Sequence, residues 1–315
     1  RRSHQAQGMS NSMDQAVERT ILPISLSDKL NAGCFCMTLD RNRLLQHLKT
    51  DTGQEKMWGE LQFTHPHLFA STPTFVSEQD LLRMLATVQA VERIGSLEAY
   101  REQVLSFAPE IARHAFGPLG VFMGYDFHLT PDGPKLIEIN TNAGGAFLNA
   151  VLLNAQRACC KEMNDHFLLP IGESFEIAMA ALFKNEWRLQ GRMAPLRTIA
   201  IVDTKPERQY LYPEFVLAKA MLERHGIDVR ICDPAELAFS DGSLRAGDHI
   251  IDLVYNRLVD FTFDKLEHEV LRRAYAAGAV VVTPGPHTHA LLANKRNLII
   301  LSEPGALQRM GAYQA

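Results

Sequence analysis

Cysteine is scarce in this chain. There are five in 315 residues, an odd number spread over the whole length, and that is not a disulfide framework. Cys34 with Cys36 and Cys159 with Cys160 are poorly spaced for a zinc site, so the thiols are read as reduced and the protein as cytoplasmic. An excess of one charge is missing too: 32 Lys and Arg stand against 36 Asp and Glu, a net charge of −4. That balance leaves no electrostatic footprint for nucleic acid or an anionic membrane. No apolar run reaches the roughly 18 residues of a membrane span, and the N-terminus lacks a signal-peptide core. Arg1 to Ser12 is polar and patternless, and reads as a remnant ahead of Met9 or Met13. The twelve histidines include the pairs His65/His67 and His287/His289. Each pair has a proline beside it and no third ligand nearby, so both read as loop or surface residues rather than metal ligands.

What is present is the composition of a folded protein, 46% apolar and 22% charged, with a length suited to two domains. Asp28 to Lys49 has helical periodicity broken at Gly33, and Leu61 to Phe75 reads as loop and strand. Ser77 is placed as an N-cap, with Asp80 near the helix start, and apolar spacing carries that helix from Leu81 to Gly95. A second helix is expected over Leu97 to Phe107, and others from Ala146 and over Ser174 to Leu189. Gly191 to Pro195 breaks the pattern and marks the expected domain boundary.

The stretch richest in chemistry is Lys135 to Gly145. Leu136, Ile137 and Ile139 are strand-like, and successive strand side chains alternate faces, so Glu138 and Asn140 share one face roughly 7 Å apart. A carboxylate and an amide oxygen so placed form a hard oxygen site of the kind Mg²⁺ takes while keeping positions for water and phosphate. Asp126 lies one hairpin upstream, and the turn residues Pro131, Asp132 and Gly133 fold its strand back beside Glu138. A solvated edge hairpin accounts for the same residues. Gly144 and Gly145 precede a helix start, where they permit close approach of a phosphate or simply a tight turn.

Beyond Pro195 strands and helices alternate: strand Thr198–Val202, helix Tyr212–His225 closed by Gly226, and strand Asp228–Cys232. A hairpin turning at Gly247 leads to a buried strand ending at Tyr255, followed by helix Asp264–Ala277 and strand Ala279–Thr283. This is the pattern of a parallel doubly wound sheet, whose ligands bind beyond the carboxyl ends of the strands. Three loops leave those ends: Asp203–Tyr210, Asn256–Asp260 and Pro284–His289. Arg257 is the outstanding candidate there, since a guanidinium holds a carboxylate with two hydrogen bonds. A salt bridge to Asp260 is the alternative.

Three segments in this order carry a family likeness: Leu136 to Thr141 around Glu138 and Asn140, Leu253 to Arg257, and Leu291 to Arg296 around Lys295. Together they resemble the eukaryotic-type glutathione synthetases, circularly permuted ATP-grasp ligases. The resemblance implies the α/β class, with an α+β ATP-grasp core (residues 13–195 and 289–315) and an inserted parallel doubly wound α/β substrate domain (196–288). It implies ATP and Mg²⁺ as cofactors, Glu138 and Asn140 as metal ligands, and Glu138 and Lys295 (or Arg296) at the nucleotide phosphates. It further implies a substrate-binding, catalytic Arg257, with Asp126, Asn142, Glu207, Tyr212 and Glu214 around the substrate. The implied reaction joins a carboxylate to an amine through an acyl phosphate, on an amino acid or short peptide, in a homodimer.

Two departures fall on the family's dipeptide site. The loop Asn142 to Gly145 lacks the family's serines, and Gly124-Tyr125 replaces an arginine. The family's glycine-rich lid also follows the Lys295 position, so the natural protein is expected to continue past Ala315. A binding module for a small acid, with the hairpin acids structural, and an ATP-grasp descendant without catalysis are the competing readings.

Overall fold

The structure is a computed structural model that describes residues 25–33, 37–158 and 172–312. The readings made for Arg1 to Ser12 and for Cys34, Cys36, Cys159 and Cys160 lie outside the described residues.

The chain opens with α1 (Leu26–Gly33), β1 (Met37–Leu39) and α2 (Arg41–Thr52). Helical periodicity over Asp28 to Lys49 thus conceals a strand, because Met37 to Leu39 finds an antiparallel partner in Gln156 to Ala158. Asp40 then restarts the helix, its carboxylate accepting the Arg43 N–H at 3.0 Å. Next come α3 (Glu55–Thr64), α4 (Glu78–Ser96) and α5 (Glu98–Leu105). The strand expected within Leu61 to Phe75 is absent. Trp58 and Leu61, one turn apart, bury one face of α3, and coil follows. Ser77 does cap α4, accepting the Asp80 N–H at 3.0 Å.

The hairpin forms as β2 (Gly124–Thr130) and β3 (Gly133–Asn140), pairing Asp126 with Glu138 and Gly124 with Asn140. Phe127 pairs with Leu136, so the register shifts and Ile137 bulges outward, half exposed. Then follow α6 (Ala146–Ala155), β4 (Gln156–Ala158) and α7 (Gly172–Leu189).

The α/β half comprises β5 (Thr198–Val202), α8 (Tyr212–Arg224), β6 (Asp228–Cys232), β7 (Leu237–Ser240), β8 (Ser243–Ala246), β9 (His249–Ile250), β10 (Leu253–Asn256), α9 (Glu269–Ala276) and β11 (Val281–Thr283). It leads into α10 (Pro286–Leu292), α11 (Lys295–Leu301) and α12 (Pro304–Arg309). Strands β11, β10, β5 and β6 form a parallel sheet in that order. Strands β5, β10 and β11 are buried on both faces, as parallel strands covered by helices are, while the edge strand β6 is only partly covered. Ile199, Ile201, Leu253 and Tyr255 enter a core that also holds Phe215 of α8, Phe183 of α7 and Trp58 of α3. Ala200, Val202 and Val254 face the opposite core with Leu271 and Ala274 of α9. A fully enclosed side chain such as Phe183 contributes roughly 1.5–3 kcal/mol. A third cluster joins Tyr100 and Val104 of α5 to Leu291 and Ile300, and the Tyr100 hydroxyl donates to the Leu291 carbonyl at 2.8 Å. Among the described residues, no helix is long and apolar enough to cross a membrane.

After β5 the chain crosses to β6 on one side, and after β10 it crosses to β11 on the other. The order therefore reverses between β5 and β10. Crevices open at such a point beyond the carboxyl ends of the strands, and here it lies between Asp203 and Arg257, whose N–H donates to the Val202 carbonyl at 2.9 Å.

Candidate functional site

Two groups of predicted residues assemble, joined by the loop Thr141 to Gly145. The first is the outer face of the hairpin. Asp126 and Glu138 are directly opposite across the ladder, and Asn140 follows two residues later on the same face. Asn140 Nδ2 lies 3.5 Å from Asp126 Oδ2. Lys295, at the first turn of α11, reaches to 3.5 Å from Glu138 Oε2 although 157 positions separate them. Its partner choice separates it from Arg296, whose guanidinium stacks 4.1 Å over the Phe107 ring, away from the hairpin face.

Among the described residues, no three His, Cys, Asp or Glu side chains cluster in a way that would hold a metal. The hairpin offers two carboxylates and one amide. That set suits Mg²⁺, which takes one or two protein carboxylates and fills its octahedron with water and phosphate oxygens, and it is too sparse for a closed all-protein site. Gly124 keeps the face open to the loop: a Cβ there would lie 3.1 Å from that of Ala143 and 3.5 Å from that of Asn140.

The second group surrounds the loop from below. Arg257, 7% exposed, donates from Nη1 to the carbonyls of Asn142 at 2.7 Å and Ala143 at 3.0 Å, while its Nε is buried without a partner. Glu214, 1% exposed, accepts the Gly145 N–H at 2.5 Å, and its other oxygen is buried unpaired. Burial raises the Glu214 carboxyl above its usual range, against the pull of Arg257 and the amides of Gly145 to Phe147. Both positions change the sequence reading. The N-terminus of α6 already holds an anion from the protein itself, so Gly144 and Gly145 are not a free phosphate cradle. Glu214 is enclosed, and Arg257 gives Nη1 to the loop while Nε keeps no partner. Asp260 is not its partner, since its carboxylate lies 2.7 Å from His268 Nδ1.

Gly144 sits where these elements converge. A Cβ there would lie 2.7 Å from Leu211 Cδ1 and 2.9 Å from Arg257 Nη2. Leu211 brings the segment Glu207 to Glu214 against the loop: Glu207 is exposed, and Tyr212 is half-buried, its hydroxyl pKa raised by burial and by Glu207. Asn142, also half-buried, reaches with Nδ2 to 3.5 Å from the Leu258 carbonyl.

Three further residues belong here, and one corrects the sequence reading: His289, expected with His287 in a loop or at the surface, lies instead in α10, because Pro286 starts a helix there that packs its neighbours inward. Thr141 is buried, its hydroxyl 3.2 Å from His289 Nδ1, and the His289 ring stacks on Phe261 with centroids 3.8 Å apart. Burial lowers the His289 pKa to about 4. Asp203, at the end of β5, is pushed up to about 6 by burial, opposed by Arg257. Only the offset of Asp203 from a strand end was visible in the sequence. The pairing of Thr141 with His289 spans 148 positions and left no local signal.

Comparison with protein-family models and with curated protein sequences finds no match. Among solved structures, the chain is similar to a glutathione synthetase-like effector, GSS30, from Globodera pallida in its apo form. Identity is 14%, the TM-score is 0.53, and the match covers 86% of this chain and 68% of that one. The chain has a mixed α/β fold with a parallel sheet and shares it with that glutathione synthetase-like protein.

Proposed function

We propose that this protein is an ATP-dependent carboxylate–amine ligase of the glutathione synthetase type, with its nucleotide and metal face on the β2–β3 hairpin. The observation that carries this reading is the meeting of Lys295 with Glu138, opposite Asp126 and beside Asn140. Moving the γ-phosphoryl group of ATP onto a carboxylate brings anions together, and a cationic and a metal-binding group on one face answer that need. Mg²⁺ held by Glu138, Asn140 and Asp126 would offset phosphate charge. Lys295 supplies a further positive charge at the same face. An amine then displaces phosphate from the acyl phosphate, and no protein nucleophile is required. Arg257 and Glu214 act as positioning residues that fix the loop between hairpin and crevice. A small-acid module would have to hold its ligand through Arg257 Nε and Nη2, because Nη1 is engaged by Asn142 and Ala143.

The test is Mg²⁺-dependent ADP release by the full-length protein, screened over amino acids and short peptides with an amine acceptor. Glu138→Ala, half-exposed and outside every core cluster, is expected to keep its fold and lose at least tenfold in turnover. Unchanged turnover in that variant would remove the hairpin from the mechanism.

A further inference from the structure

Helix α11 delivers Lys295 to Glu138, yet that ion pair is not what holds the helix there. The Lys295 side chain is 74% exposed, and an ion pair open to water is worth too little to orient a helix. The placement has to come from the buried side of α11. Asn297 lies there, two residues on from Lys295 and 0% exposed. Two positions turn a helix by about 200°, so Asn297 and Lys295 leave α11 on opposite sides.

Asn297 Nδ2 donates to the carbonyls of Ala290 at 2.8 Å and Leu291 at 2.9 Å, near the end of α10. Helix ends leave such carbonyls without partners along the chain. The Leu291 carbonyl takes a second bond from the Tyr100 hydroxyl at 2.8 Å, so one oxygen joins α5, α10 and α11. Asn297 Oδ1, by contrast, is buried with no partner, which lowers stability. What the amide adds is direction. Ile300, another inward residue of α11, sits in an apolar cluster with Tyr100 and Leu291, and apolar contact is non-directional, so it resists rolling of the helix poorly. Hydrogen bonds weaken steeply when their angles are lost. The pair from Asn297 therefore fixes α11 in rotation.

We propose that Asn297 is a positioning residue that holds Lys295 at Glu138 by locking the first turn of α11 to the end of α10. The helix it grips also reaches the metal strand, because His289 of α10 lies 3.2 Å from the hydroxyl of Thr141, the residue after Asn140. Helix α10 thus sets Lys295 and Asn140 in one frame. In the ligase reading, on which its catalytic meaning rests, that frame keeps the ammonium and the metal ligands at a fixed spacing around the nucleotide phosphates.

The placement is tested first without nucleotide. A carbodiimide joins a carboxylate to an amine with no spacer, so the whole chain is expected to give a Glu138–Lys295 crosslink by peptide mass spectrometry. The ion pair of Lys219 with Glu223 in α8 provides the internal control. Asn297→Ala should lower the first crosslink severalfold and leave the second unchanged, with the circular dichroism spectrum of the wild type. Asn297→Ser, which keeps a donor for one carbonyl, carries the same test should the alanine variant not fold. An undiminished crosslink in the folded variant would overturn the proposal, because an amide that only stabilises the fold leaves Lys295 where it is. Calorimetry with Mg²⁺ and ATP on the full-length protein reads the consequence. Asn297→Ala should weaken ATP binding about fivefold in the wild-type background and not at all beside Lys295→Ala, since residues that act through one another are non-additive. Additive losses would overturn the proposal as well. Loss of the crosslink in Asn297→Ala, with no ATP binding by the wild type, would uphold the placement and remove the ligase reading instead.

Discussion

Glu214 and Arg257 are enclosed on the two sides of one glycine loop, and each keeps one polar atom without a hydrogen-bond partner. Enclosing charges is costly unless they are hydrogen-bonded and face an opposite charge. Here the carboxylate terminates α6 through Gly145, and the guanidinium ties down Asn142 and Ala143. Removing Glu214 leaves a buried amide and a buried cation uncompensated. Glu214→Ala is therefore expected to cost about 2–4 kcal/mol, read as a lower urea midpoint. Glu214→Gln keeps the acceptor and should cost less. If the alanine variant unfolds at the wild-type midpoint, the loop is not held from this side.

At the scale of elements, the hairpin is the part most dependent on local backbone chemistry. Two strands alone are marginal in water, and this pair draws support from α4 and α11 packed on β3. Gly133 closes the turn at φ 103, in the left-handed region, and a Cβ there would approach Arg83 Nη1 to 2.8 Å. Gly133→Val should destabilise the protein by about 1–3 kcal/mol and expose the hairpin to protease cleavage between Leu129 and Lys135. An unchanged digestion pattern would show the turn to be tolerant. Helix α4, which braces the same strand, depends on Ser77. Ser77→Ala should lower stability by about 1 kcal/mol.

Across the whole molecule, buried titrating groups of opposite kind oppose one another as pH changes. His289 has its folded pKa lowered to about 4, so an unfolded chain takes up its proton first and stability is lost as pH falls from about 6.5 toward 4. His287, also lowered by burial, has the same sign. Asp203 is raised to about 6, so the folded state takes up that proton first and stability is gained as pH falls from about 6 toward 4. The two trends offset each other. His289→Gln is expected to unmask the gain on acidification, and Asp203→Asn to steepen the loss while adding about 1 kcal/mol at pH 7.5 after allowance for screening of a partly exposed group. Below pH 4 a further loss is expected. Burial would raise the Asp260 pKa, but the Lys265 N–H, His268 and Thr262 outweigh it and bring it to about 2. Urea titrations at half-unit pH intervals read all three trends. Parallel curves for wild type and both variants would exclude these groups as the source.

The sequence by itself determined what depends on neighbours along the chain. The Ser77 cap, the turn at Pro131 to Gly133, the alternation of Glu138 and Asn140, and the βαβ run from Thr198 to Thr283 all follow from periodicity and turn chemistry acting within a few residues. It misjudged β1, because a three-residue strand exists only through its distant partner at Gln156 to Ala158. It also predicted loop and strand over Leu61 to Phe75, where the buried face of Trp58 and Leu61 carries α3 to Thr64 and coil follows. Only the tertiary structure brought Lys295 to Glu138, Thr141 to His289, and Glu214 to the start of α6. Each of those meetings spans dozens of residues or more and is set by packing of whole helices against the sheet and hairpin. For the same reason the sequence could mark Arg257 and Glu214 as chemically important but not assign their task. Whether a charged group faces a ligand or holds a loop is decided by what encloses it.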